Sequence, residues 1–231
     1  MDRLWKMIPS DQIKFILPHL KWAKIGDRSP ASNVAALMLY IALCFKMESK
    51  PLSADADDET DTEGTQYLLI AQASYGELTE MTYLSRKLVS EGLRVLIEFG
   101  LIAKRGNMQS REYEIVGQFT KWFKLPCKPI VTRGAIEPFK HFTLRTKHDL
   151  NALKLYLYLA SVRVNLLNYT SAKYETICER TGIQERDIRR AIVLLTVSGL
   201  VVNVEKSGDR SAENFQGPNR YFFKGHEYLV K

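Results

Sequence analysis

Arg86, Lys87, Ser90 and Arg94 recur at helical spacing within LSRKLVSEGLRVLIEFG, and Gln184, Arg186, Arg189 and Arg190 do the same within GIQERDIRRAIVLLTVSG. At about 100° per residue, the first set lies opposite Leu88, Val89, Gly92, Leu93 and Leu96. The second set lies opposite Ile188, Ala191, Ile192 and Leu195. Ser85 adds a hydroxyl at the start of the first stretch. Guanidinium and amide forks held away from a core form paired hydrogen bonds with planar acceptors: phosphate oxygens, the O6/N7 edge of guanine for Arg and Lys, or adenine for Gln. An ordinary solvated helix face carries similar charges, so placement must decide between the two readings.

Other chemistries find little support. His19, His141, His148 and His226 are scattered and form no HExxH pair, and the chain has no GxxxxGK[ST], GxSxG or GxGxxG pattern. Cys44, Cys127 and Cys178 have no CxxC spacing and read as unpaired structural thiols. Asp55, Asp57 and Glu59 imitate the opening of an EF-hand loop, but Thr60 stands at its sixth position and Gln66 at its twelfth. We therefore expect no catalysis, no metal and no cofactor.

The elements that position these groups emerge from an internal repeat. At an offset of 99, residues 74–102 lie without a gap over 173–201, matching Tyr75 with Tyr174, Thr82 with Thr181, Val89 with Ile188, Leu96 with Leu195 and Gly100 with Gly199. Upstream, AALMLYIAL (35–43) matches NALKLYLYL (151–159) at an offset of 116. The difference is taken up by an acidic insertion, 49–65. Each copy predicts a long apolar helix (about 31–47 and 148–164), a short helix (74–81 and 173–180), a turn, a longer helix (85–98 and 184–197), a glycine stop, and a hairpin.

This order resembles the winged helix-turn-helix superfamily of the MarR and GntR kind, present twice. The resemblance implies an α+β, mainly α, fold of two winged helix-turn-helix domains in tandem with β-hairpin wings. The divisions are an N-terminal arm or helix (1–28), a first domain (29–117), a basic linker (118–147) and a second domain (148–231). Tyr83 stands where the second copy has Gly182, which leaves the shape of the first turn open. The resemblance also implies double-stranded DNA as partner. The two charged helices would then read base edges, while Lys104, Arg105 and Arg111 in one wing and Lys206, Arg210 and Arg220 in the other would reach flanking phosphate. Edge charges that block sheet aggregation are the plain alternative for the wings.

Net charge is +7 and the isoelectric point about 9.2, in keeping with a polyanion partner. The segment 49–65 has dense acid and reads as a disordered loop, whereas 118–147 is basic and contains Trp122, Phe123, Phe139 and Phe142. Those aromatics suit the seal of a domain boundary along a semi-extended connector, or stacking on single strands. The arm carries Ser10 as a helix cap and apolar Ile13, Phe15, Ile16, Leu17, Leu20 and Trp22. It can pack on its own domain or swap onto a second subunit as a homodimer. With no readable signal peptide or membrane span, a cytoplasmic, nucleoid-associated place is expected. A transcriptional regulator leads; a plasmid or phage replication or partition initiator and a protein-binding scaffold are the alternatives. Copies related by translation would favour direct repeats in the DNA.

Overall fold

Residues 34–45 are apolar at every position, so a helix through them has no face for solvent and must run through an interior. A computed structural model describes residues 3–51, 67–105, 111–117, 121–206 and 217–230 and places that helix at the centre of the first half. The fold is α+β. In chain order the first half comprises β1 (Trp5–Pro9), α1 (Asp11–Ile16), a 3-10 turn (Leu17–His19), α2 (Ser32–Lys46), β2 (Met47–Pro51), β3 (Tyr67–Gln72), α3 (Tyr75–Thr82), α4 (Arg86–Glu98), β4 (Ile102–Arg105) and β5 (Glu112–Ile115). The second comprises β6 (Trp122–Pro126), β7 (Val131–Thr132), β8 (Ala135–Ile136), a 3-10 turn (Glu137–His141), α5 (Lys147–Ser161), β9 (Thr170–Ala172), α6 (Tyr174–Thr181), α7 (Glu185–Ser198), β10 (Val201–Lys206) and β11 (Asn219–Phe223), closed by a 3-10 turn at His226–Tyr228.

Equivalent elements are made by equivalent contacts. Thr82 and Thr181 each donate a hydroxyl hydrogen bond to the carbonyl four residues back, Leu78 and Ile177, at 2.5 and 2.6 Å. Tyr83 and Gly182 then both turn left-handed, at φ 60° and 67° with ψ 17° in each. The first turn thus keeps the glycine geometry with a tyrosine in it. Gly100 (φ 66°) and Gly199 (φ 77°) end the longer helices in the left-handed region, as glycine alone does cheaply. Behind them, Val116 and Lys224 donate to the carbonyls of Leu101 and Leu200 at 2.9 and 3.0 Å, closing each sheet on its helix. All sheet pairings are antiparallel, in the orders β2-β3-β5-β4 and β10-β11-β9.

Three expectations change. Residues 49–51 of the acidic insertion belong to β2, whose Pro51 lies opposite Tyr67, so the insertion extends a hairpin that adds an outer strand to the first sheet; residues 52–65 lie outside the described residues. Helix α5 stops at Ser161 instead of near 164, because the buried Arg163 guanidinium donates to the carbonyls of Val164 and Leu167 and to the Asn165 side chain, folding the chain back. The connector 118–147 carries regular structure: β6, the β7-β8 hairpin and a 3-10 turn, with Phe123, Phe139 and Phe142 buried.

The two halves are also not related by translation. Strand β1 pairs antiparallel with β6, Trp5 opposite Pro126, Met7 opposite Lys124 and Pro9 opposite Trp122. Their sequences, WKMIP and WFKLP, align at an offset of 117 as Trp5 with Trp122 and Pro9 with Pro126. Each strand therefore meets its own counterpart in reverse, about a centre at Met7 and Lys124. Trp5 and Trp122 stack across that centre, with ring centroids 6.2 Å apart and planes 3° apart.

Other cross-contacts are reciprocal. The turn Leu17–His19 of the first half packs on α6 of the second, while Glu137, in the matching turn of the second half, accepts from the Tyr83 hydroxyl at the end of α3. Helices α2 and α5, themselves equivalent, touch. Reciprocity of this kind defines an isologous, two-fold interface. The arm thus buries Ile13, Ile16, Leu17 and Leu20 within one chain and leaves Phe15 72% exposed.

Candidate nucleic-acid interface

Helix α4 begins at Ser85, whose Oγ accepts the Leu88 amide at 3.3 Å, and so spends its hydroxyl on the helix cap. Its inner face, Val89, Gly92, Leu93, Val95 and Leu96, is buried against α2. A Cβ built on Gly92 would meet the Ala36 nitrogen at 2.9 Å and the Ala35 carbonyl carbon at 3.0 Å, so only glycine lets the helices come this close. Arg86, Lys87, Ser90 and Arg94 are left outside. In α7, Ile188, Ala191 and Leu195 are buried, and Gln184, Arg186, Arg189 and Arg190 are exposed.

These groups fare differently. Arg86 and Arg189 hold no ion pair or hydrogen bond among the described residues, which leaves both guanidinium forks open. Lys87 lies 3.9 Å from Glu91. Arg94 is drawn away, pairing at 2.6 Å with Asp27 of the arm, which holds the Asp27 carboxyl below its usual range. Arg186 donates to the Gln184 side chain at 3.0 Å, and Arg190 lies 3.3 Å from His148 Nε2.

The residues expected in the wings also divide. Arg111 lies over the Tyr75 ring, 4.2 Å from its centroid, and lines one cleft with Arg86, Lys46 and Lys50. Here the structure brings a cation of α4 and a cation beside β5 together. Arg105 is paired with Glu114 at 2.6 Å, and Lys104 beside it is exposed. In the second half Lys206 is exposed at the end of β10, and Arg220, opposite Glu205 on the middle strand, lies over Tyr169 at 5.0 Å. Arg210 lies outside the described residues. Tyr174, Gln184, Arg186 and Arg189 line a cleft at the start of α7, and Lys147, Arg186 and Arg190 an adjoining one.

Sequence reasoning missed Lys46, Lys50 and Lys147. Lys46 donates to Glu77, whose carboxyl falls to about 2 under that bond and the Ser74 amide. Lys147 pairs with Asp187 at 2.7 Å and holds that carboxyl low. Their signal was position: both flank the long apolar helices, at the end of α2 and the start of α5.

Comparison with protein-family models, with curated proteins and with solved structures gives no match. Among the described residues no His, Cys, Asp and Glu cluster suits a metal, and no helix is long and apolar enough to cross a membrane.

Proposed function

We propose that this chain binds double-stranded DNA through two winged helix-turn-helix modules, α2 to β5 and α5 to β11, and acts as a transcriptional regulator. One observation carries the reading: in both halves an amphipathic helix follows a tight helix-helix turn, buries its apolar face, and turns open guanidinium groups outward beside an antiparallel hairpin. An α-helix fits the major groove, and a free arginine fork matches guanine O6/N7. Lys104, Arg111 and Lys206 supply the sequence-independent attraction to phosphate.

The test is duplex binding by the full chain with site-selected and random sequences. Arg86→Ala or Arg189→Ala weakens selected duplex by about 1–3 kcal/mol and leaves random duplex nearly unchanged; an equal loss on both sinks base reading. A specific observation favours a second reading, a protein-binding scaffold: Val193 and Val197 on α7 are 56% and 65% exposed, with Val202 also outside. Failure to retain any duplex at moderate salt selects that reading.

A further inference from the structure

The symmetry of the chain predicts the symmetry of its target. We infer that one chain reads an imperfect inverted repeat, two unlike half-sites facing each other, rather than a direct repeat. The inference rests on the DNA-binding reading above.

The first observation is the β1-β6 ribbon. Because WKMIP and WFKLP are equivalent segments paired antiparallel about Met7 and Lys124, the operation relating them is a half-turn. The second is the swap. The arm of each half holds the helix-helix turn of the other: Gly182 lies so near Pro18 that a Cβ would meet its carbonyl oxygen at 3.2 Å, and the Tyr83 hydroxyl donates to Glu137 at 2.9 Å. The third is the close of each module on its own arm proline. A Cβ on Gly117 would strike Pro9, and one on Gly225 would strike Pro129 and approach Pro126. The first two contact sets cross between the halves and map onto themselves under exchange; the third lies within each half and shows that the halves close alike. A translational relation would give a first-to-second contact without its converse.

Reading helices related by a half-turn meet DNA strands of opposite polarity, as the helices of a symmetric dimer do on a palindrome. Here the two helices are not identical. Position by position, Ser85, Arg86, Lys87 and Ser90 of α4 become Gln184, Glu185, Arg186 and Arg189 in α7. Arg86 seeks an acceptor such as guanine where Glu185 seeks a donor such as cytosine N4, so the halves require different bases. An inverted order with unlike halves follows, occupied by one chain.

The experiment selects duplexes from a random library with the full chain, then compares the recovered site with three synthetic forms. One has the second half-site reversed in place, giving a direct repeat of equal spacing; the others double either half as a true palindrome. Chains per duplex are counted by sedimentation. We expect one chain per recovered site and a loss of about tenfold or more on reversal. Arg86→Ala should relax base preference in one half-site and Arg189→Ala in the other. Both residues are exposed, so neither change threatens folding. Equal or tighter binding to the direct repeat, or two chains on a palindrome, overturns the inference and leaves DNA binding standing. Recovery of no duplex overturns both.

Discussion

The outer faces of α4 and α7 hold matching places in the repeat, yet the loop that precedes α2 clamps the first and no such loop crosses the second. On α4, Arg94 pairs with Asp27 and Glu98 with the buried Arg28 at 2.7 Å, while Glu91 accepts from the Ser29 amide and hydroxyl. At the matching positions α7 has Val193, Val197 and Arg190. The reason lies in the connections. Residues 20–31 lead from the first arm turn to α2, whereas only 142–146 separate the second from α5, too few to reach over the helix. The longer loop uses Arg94 for structure, whereas the matching position of α7 holds the exposed Val193. The two halves thus keep one order of elements while single positions, outer and inner, diverge, and each difference between the halves can be reversed by substitution.

Lys154 marks the largest such difference. It occupies the position of Met38 in the first half, is 3% exposed, and among the described residues donates only to the Leu20 carbonyl at 3.1 Å. Burial holds its ammonium at about 8. The unfolded chain, with an ordinary lysine near 10.4, binds more protons between these values, so stability rises with pH through that window and is lower by about 3 kcal/mol below it. Lys154→Met removes the burden and loses one hydrogen bond worth about 1 kcal/mol. A net gain of about 2 kcal/mol at pH 7 is expected in urea unfolding, with the rise between pH 8 and 10 flattened. A variant no more stable than the parent, with the same pH slope, would show that Lys154 is not the group responsible.

Gly92 and Ala191 form the next pair. Gly92→Ala places a methyl within 3.0 Å of the α2 backbone. Overpacking of about 1–3 kcal/mol exceeds the helix preference of about 1 kcal/mol that alanine brings. We expect a net loss of about 1 kcal/mol in the same measurement. At the second site alanine is already accommodated, and Ala191→Gly should cost about 1 kcal/mol through helix preference alone. A stabilised Gly92→Ala chain would mean that α2 and α4 can separate without loss.

Much of this was legible from residue patterns. Apolar periodicity and paired glycines placed the six helices of the repeat within about a residue, except for the end of α5, because local spacing and left-handed stops act over few residues. The outward position of Arg86 and Arg189 followed from the same periodicity. The two-fold relation did not. WKMIP and WFKLP are five residues long and their offset of 117 differs from the 99 and 116 found elsewhere, so they fall inside segments read as arm and connector. Their pairing spans more than a hundred residues, and no local propensity reports it. Arg94 escaped for a similar reason: Asp27 sits in a loop without periodicity, and only the folded path brings it to α4.

The smallest difference concerns the turns. Gly182→Ala puts a side chain at φ 67° and against the Pro18 carbonyl; the left-handed backbone alone costs about 1 kcal/mol, and the loss should appear in the thermal midpoint. Tyr83 already bears that strain at φ 60°. Replacing it with glycine relieves the backbone but gives up the bond to Glu137 and adds freedom to the unfolded chain, effects of about 0.5–1 kcal/mol each that oppose the relief. Tyr83→Gly should therefore move stability by less than about 0.5 kcal/mol, whereas Tyr83→Phe, which keeps the strain and removes only the hydroxyl, should be the less stable of the two. If Tyr83→Phe equals the parent while Tyr83→Gly is clearly stabilised, the bond across the halves contributes nothing, and the first turn is held by its own helices alone.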